Sequence, residues 1–188
     1  MPPAKLDSLR SRFIKKFKRI GMNTTPGDAT LLRILVESSK AKRGLEIGTA
    51  TGYGAILMGL GFERNGGKLV SIDPDPKMVK TARNNIQKMN LQETVSIVEG
   101  SALEVIPTLR GKFDFVFIDA IKAEYLKYLR TIEPKLKPGS VIVADNVIQF
   151  EKETKDFLDF VQNDPNYRTA IIRASLEKND GMSVSYRL

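Results

Sequence analysis

The sequence predicts an α/β fold built on a mostly parallel β-sheet with helices on both faces. Three observations carry this. Short apolar runs rich in β-branched residues alternate with segments of helical periodicity from about residue 28 onward. A glycine-rich stretch, "GLEIGTATGYGAI" (44–56), starts like a strand and ends like a helix. Asp73, Asp119 and Asp145 each stand at the end of an apolar run, where an open parallel sheet binds its ligands.

The elements follow in order. Leu6, Leu9, Phe13, Ile14, Phe17 and Ile20 recur at helical spacing, which predicts a helix over residues 1–20 with Gly21 as its stop. A second helix is expected over about 28–40, then a strand at 44–48. The glycine turn opens a helix running to about Leu60. "KLVSID" (68–73) reads as a buried strand and "DPKMVKTARNNIQKMN" (75–90) as a helix. "VSIVEG" (95–100) is a strand, followed by a short helix reaching Leu109. "FDFVFIDA" (113–120) is a strand, with a helix over about 123–133. "SVIVADNV" (140–147) and "ETKDFLDFVQND" (153–164) repeat the strand–helix pair. Two alternating segments, about 168–174 and 183–188, close the chain. Strands alternating with helices require a parallel sheet covered on both faces.

Of the net charge of +8, residues 1–20 carry +6 and the other 168 residues only +2. The basic character therefore belongs to one segment, and the chain divides into a basic amphipathic helix (1–20) and the α/β domain (21–188). The apolar stripe fits a helix docked on its own domain or on a dimer partner. A membrane-surface or RNA-binding helix is the alternative. No apolar run approaches the roughly 18 residues of a membrane span, and no signal peptide is expected ahead of the first helix, so the expected location is cytoplasmic. The chain has neither cysteine nor histidine. Disulfides and thiolate chemistry are excluded, a general base must be Lys, Asp, Glu or Tyr, and a metal site must use oxygen ligands.

The turn Gly48-x-x-x-Gly52-x-Gly54 resembles that of short-chain dehydrogenases, but none of the five tyrosines is followed four residues later by Lys, as their catalysis requires. Glu46-x-Gly48-x-x-x-Gly52 instead resembles the first motif of class I S-adenosylmethionine-dependent methyltransferases. Asp73, 25 residues after Gly48, is placed to accept both ribose hydroxyls of such a cofactor, although it could also merely cap the next helix. Glu46 then has a use, since a carboxylate beside the turn can hold the cationic end of the methionine.

Asp119 ends one strand with Lys122 three residues on, and Asp145-Asn146 ends the next. Two carboxylates and a carboxamide oxygen on neighbouring strand ends suit a hard divalent cation, Mg²⁺ first among them. With "LEIGTATGYGA", "SIDPDPKMVKTARNNI", "VEGSALEVIPTL", "FVFIDAIKAEYLKYL", "VIVADNV" and "NDGMSVSYRL" in place, the chain resembles the metal-dependent O-methyltransferases, the family of catechol and caffeoyl-CoA O-methyltransferases. The resemblance runs from Gly21 to the end of the sequence. It implies a Rossmann-like class I methyltransferase fold with a mostly parallel seven-stranded sheet and an antiparallel C-terminal strand.

By the same resemblance Asp119, Asp145 and Asn146 bind the metal and Lys122 is the catalytic base. Gly48, Thr49 and Tyr53 line the methionine, Glu46 and Asp119 face it, and Asp73 holds the ribose. Ser101 and Ala102 fall at the adenine, and Met22 and Thr24 lie in the segment that closes over the cofactor. The implied reaction is methyl transfer from S-adenosylmethionine to a small hydroxylated, catechol-like acceptor by a homodimer. A hydroxylated tRNA base gripped by the basic helix is the alternative. Gly54 stands where many of the family have Ser or Thr, and Ala120-Ile121 lacks the bulky or polar residues some of them carry, so catechol itself is not implied. Glu177 reads as an ordinary surface acid.

Overall fold

The computed structural model describes residues 3–188. Along them run α1 (Pro3–Lys15), α2 (Pro26–Ser38), β1 (Arg43–Ile47), α3 (Tyr53–Asn65), β2 (Lys68–Asp73), α4 (Pro76–Lys88) and β3 (Val95–Glu99). Then come α5 (Ala102–Thr108), β4 (Phe113–Ile118), α6 (Tyr125–Ile132), β5 (Leu136–Ala144), α7 (Lys155–Asn163), β6 (Tyr167–Ile172) and β7 (Met182–Arg187). The strands form one sheet in the order β3-β2-β1-β4-β5-β7-β6. β1 to β5 pair in parallel, while β7 lies antiparallel to both of its neighbours, β5 and β6. Strand order reverses between β1 and β4, so the crevice beyond their C-terminal ends is the natural ligand site.

The period of two along the strands sorts side chains to the two faces. In β4, Phe115 and Phe117 join the core under α2, α3 and α4, while Val116 and Ile118 join the core under α5, α6 and α7. Leu45 and Ile47 belong to the second core, so Glu46 between them faces the first. Helix α3 is buried on every residue from Tyr53 to Phe62, which explains a stretch that is apolar all round. Two helices start where Pro follows a polar cap. Thr25 caps α2 by accepting from the Asp28 N–H at 3.2 Å, and Asp75 caps α4 by accepting from the Lys77 N–H at 2.7 Å.

The structure differs from expectation at two ends. The first helix stops at Lys15, well before Gly21; residues 1 and 2 of the expected helix lie outside the described residues. Periodicity loses here to tertiary contact. Phe17 leaves the helix to pack on the Tyr53 ring at 5.0 Å, and the Asn23 side chain accepts from the Ile20 N–H at 2.9 Å and the Thr51 hydroxyl at 2.7 Å. The stripe docks on its own domain, where Phe13, Ile14 and Phe17 pack against the first core. Arg10, one of the cations available for RNA, is instead buried, with its guanidinium paired to Glu63 at 2.6 Å and donating to the Met89 carbonyl at 2.9 Å. Strand β5 begins at Leu136, ahead of the expected Ser140, across a register shift opposite Phe113/Phe115. The Ser140 hydroxyl spans that irregularity, accepting from the Lys137 N–H at 3.0 Å and donating to the Phe113 carbonyl at 2.9 Å. Among the described residues no helix is long and apolar enough to cross a membrane.

Candidate active site

The glycine turn leaves β1 at Gly48, whose φ of +93° is open to glycine at little cost. A Cβ there would also collide with the Asp119 carbonyl oxygen, so the same glycine lets β1 and β4 close up at their ends. The turn is then fastened to β2 from below. Asp73 accepts from the Thr49 N–H at 3.0 Å, the Ala50 N–H at 2.8 Å and the Asp75 N–H at 2.9 Å. Capping of α4 falls to Asp75, so Asp73 is not that cap. Its carboxylate orders the turn, and three of its roughly four acceptor positions are already engaged by backbone.

Glu46 lies under this turn, 1% exposed, and accepts from the Ser71 hydroxyl, which is itself bonded to Thr49 Oγ1. Burial pushes the Glu46 carboxyl up to about 8, helped by the nearby Asp119 and Asp73 charges and only partly opposed by Ser71. Gly54 packs closely here. A Cβ on it would sit 2.8 Å from Glu46 Oε1 and 3.2 Å from Thr24 Oγ1. A Ser or Thr here would have to push the ends of both side chains aside. Thr24 is buried on the same spot, while Met22 is 62% exposed. Tyr53 is buried under Phe17, with Arg19 5.8 Å from its ring centre. Ser101 is exposed at the start of α5 and Ala102 is buried behind it.

The other half of the crevice is built by the β4–β5 ladder. Ile118 pairs with Ala144, so the two strands release Asp119 and Asp145 side by side. Their backbones remain tied in, the Asp119 N–H donating to the Ile47 carbonyl at 2.8 Å and the Asp145 N–H to the Ile118 carbonyl at 3.0 Å. Lys122, in the single 3-10 turn before α6, donates to Asp119 Oδ1 at 2.7 Å and to Tyr125 Oη at 2.8 Å. The buried Tyr125 hydroxyl passes the contact on to the Asp145 carbonyl at 3.1 Å.

Asn146 adopts a left-handed φ of +59°. Its amide nitrogen donates to Asp180 Oδ2 at 2.8 Å, which leaves the amide oxygen on the opposite branch. Asp180 also accepts from the N–H groups of Ile148, Gln149 and Gly181 at 3.1, 2.9 and 2.7 Å. Burial acts upward on Asp180, but these donors and Asn146 outweigh it and hold the carboxyl below its ordinary value.

Asp145 is 2% exposed and both of its oxygens bind the Lys178 ammonium, at 2.8 and 2.9 Å. Burial and the Asp119 charge push it up to about 6, against the pull of Lys178. The same ammonium bridges to Asp28 Oδ2 at 3.0 Å, and its carboxylate partners outweigh burial to keep it cationic.

The predicted residues thus gather in two adjoining sets, Glu46–Asp73 and Asp119–Lys122–Asp145–Asn146. Sequence reasoning missed Asn23, Asp28, Ser71, Tyr125, Lys178 and Asp180. Of these only Asp180 carried a signal, the Asp-Gly pair after a polar turn. Glu177 is half-exposed and pairs with Arg19 at 2.8 Å.

Among the described residues no three Asp, Glu, His or Cys side chains are grouped to hold a metal. The donor set available is two carboxylates and one amide oxygen, with the amide already turned by Asp180 so that its oxygen lies away from that carboxylate. This chemistry fits a hard divalent cation.

The sequence profile of the O-methyltransferase family matches residues 3–177. The chain is similar to a catechol O-methyltransferase of Niastella koreensis, 36% identical over 132 residues, covering 68% of this chain and 59% of that protein. It is also similar to a catechol O-methyltransferase of Mycobacterium tuberculosis, 35% identical over 148 residues, or 78% and 66% of the two chains. The match therefore spans less than two thirds of either relative's length. The crystal structure of an O-methyltransferase from Bacillus cereus in complex with SAH has the same fold, with a TM-score of 0.85 over 100% of this chain and 92% of that one at 24% identity.

Proposed function

Starting from the O-methyltransferase family, to which this chain belongs, we propose that it methylates a small hydroxylated, catechol-like acceptor using S-adenosylmethionine and a divalent cation, Mg²⁺ first. One observation carries the reading. Lys122 is held at 2.7 Å from Asp119, beside Asp145 and beyond the glycine turn, so a proton-moving group adjoins the crevice that the turn floors.

S-adenosylmethionine, when bound, supplies a sulfonium methyl. Glu46, at the bottom of the turn, is the partner for its ammonium end, and Thr24 and Tyr53 border the same corner. Gly48 and Thr49 present backbone to it. Asp73 accepts from the ribose with its remaining capacity, Ser101 and Ala102 flank the adenine, and Met22 covers the site from its exposed position.

The cation, when held by Asp119, Asp145 and the Asn146 amide oxygen, supplies Lewis acidity that favours an ionised acceptor oxygen. With the cation bound beside it, Lys122 would first give a proton from Nζ to solvent and then, as the neutral amine, take the acceptor hydroxyl proton. Its two hydrogen bonds fix Nζ before the acceptor arrives, which lowers the cost of alignment.

The tRNA alternative is not favoured. Two of the seven N-terminal cations, Arg10 and Arg19, are spent on Glu63 and Glu177, and the apolar stripe beside them packs on the domain. The test is transfer of labelled methyl groups to a panel of catechols and to bulk tRNA, with and without chelator. Catechols should be methylated, chelator should stop the reaction, and added Mg²⁺ should restore it. Methylation of tRNA alone, or turnover indifferent to chelator, overturns the acceptor or the metal respectively.

A further inference from the structure

Lys178 comes from the segment between β6 and β7, yet its ammonium sits in the fork of Asp145, a residue the metal reading requires. The two bonds, 2.8 and 2.9 Å, engage both carboxylate oxygens from one side, which is where a cation would bind them. The contact is sheltered. Lys178 is 20% exposed, and its carboxylate partners Asp145 and Asp28 are 2% and 1% exposed.

Asp28 adds a second observation. Its Oδ2 receives Lys178 at 3.0 Å and the Thr25 hydroxyl at 2.8 Å, but its buried Oδ1 has no hydrogen-bond partner among the described residues. A buried carboxylate oxygen left unpaired is costly, so Asp28 has spare capacity for a donor already touching its other oxygen. Three carboxylates (Asp28, Asp119, Asp145) face two ammoniums (Lys122, Lys178), which leaves one net negative charge, so a dication overfills the cluster unless one ammonium moves aside. Lys122 is anchored on Tyr125 as well, whereas among the described residues Lys178 is bound only by the two carboxylates it bridges.

We propose that Lys178 is a tethered cation that competes with the divalent metal for Asp145, and that metal entry drives its ammonium onto Asp28 alone. The proposal rests on the metal reading above, but it concerns binding and not turnover. Two cations cannot both occupy the Asp145 fork, since their repulsion in a poorly hydrated pocket is strong. Lys178 therefore holds the apo site together and lowers its metal affinity. Asp28 is the resting place that keeps the displaced ammonium from being stranded in an apolar setting. Release of Asp145 also loosens the 173–179 segment, whose other ties near the site are Glu177 to Arg19 and the close approach of Ala174 to Gly27.

The test is calorimetric titration of the full chain with Mg²⁺ and Mn²⁺, without cofactor or acceptor, alongside the Mg²⁺-induced shift in melting temperature. Lys178→Met should bind either metal about 10- to 100-fold more tightly than wild type, the range over which groups touching metal ligands act. Asp28→Asn should move the other way, because Lys178 then has only Asp145 to hold. Should Lys178→Met fail to fold, Lys178→Gln removes the charge while keeping a donor, and carries the same expectation. Hydrogen exchange of residues 174–178 should rise on Mg²⁺ addition in wild type and be insensitive to it in Lys178→Met. Equal metal binding by wild type and the Lys178 variants, including none by either, overturns the proposal, as does a decrease in both Lys178→Met and Asp28→Asn. Chelator-resistant turnover in wild type would overturn the metal requirement while leaving this comparison of affinities to be read on its own.

Discussion

The two halves of the crevice solve the same problem, buried carboxylates, by different means. At the β1–β2 end, Asp73 is satisfied by three backbone N–H groups and Glu46 by a serine hydroxyl, all supplied by the turn, β2 or the residue just beyond. At the β4–β5 end, Asp119 and Asp145 are satisfied by ammoniums, Lys122 from the next turn and Lys178 from the far end of the chain. Neutral donors fix a shape and leave the charge of an incoming ligand to be matched. Ammoniums neutralise charge, can shift between carboxylates and can release a proton. On the proposed function, the first end would bind the cofactor and the second would carry the chemistry. Burial raises both Glu46 and Asp145, so the difference lies in the partners and not in the depth.

That division predicts which kinetic constant each substitution changes. The largest effect belongs to Lys122→Ala, which should lower kcat about 10²–10⁴-fold while leaving the KM for S-adenosylmethionine nearly unchanged. The deficit should shrink with more acidic phenols and at higher pH, where an acceptor already ionised no longer needs a base. Turnover against pH for wild type and Lys122→Ala, at saturating metal, checks it. Overlaying profiles would leave Lys122 with no catalytic part. Asp73→Ala should do the reverse, weakening cofactor binding by about 1–3 kcal/mol through lost charge-assisted bonds and a loosened turn, with kcat less affected. Calorimetry with S-adenosylhomocysteine reads this directly, and an unchanged affinity would remove Asp73 from the cofactor site. Should Asp73→Ala lower kcat alone, the division into binding and chemical ends fails.

The same contrast explains what could be read in the sequence. The β1–β2 end is made of short-range contacts within residues 44–75, so glycine spacing and a strand-end acid were enough to find it. "KLVSID" became Lys68–Asp73 as expected. The strand ends bearing Asp119 and Asp145 were legible too, because parallel pairing of Ile118 with Ala144 follows from two apolar runs. Lys178 and Asp28 were not. Asp28 resembles any acid in the first turn of a helix, and Lys178 sits in a charged turn that reads as solvated. Only the antiparallel insertion of β7 beside β5 brings them together on Asp145. The end of α1 was lost for the opposite reason. Its apolar period continues to Ile20, but Phe17 is used against Tyr53 instead of along the helix.

The smallest expected effect sharpens the comparison most, because it tests whether Glu46 is a neutral group awaiting a charge. With its carboxyl pushed up to about 8, Glu46 is mostly protonated at pH 7 in the free protein. In the unfolded chain it ionises near the ordinary value of 4.5. Between these two values the folded state holds a proton that the unfolded state does not, so stability falls as pH rises from about 4.5 through about 8. Glu46→Gln, which cannot ionise, should flatten that slope. An incoming ammonium reverses the preference, because a carboxylate beside a cation is the favoured form. Cofactor binding at pH 7 should therefore expel a proton from Glu46, and affinity should rise by less than about 10-fold between pH 7 and 8.5. Titrating S-adenosylhomocysteine in buffers of different ionisation enthalpy counts the proton. Wild type should release close to one at pH 7, and Glu46→Gln none. If wild type shows no buffer dependence, Glu46 does not change state on binding, and its place beneath the glycine turn is that of a polar strut and not of a receptor for the methionine amine.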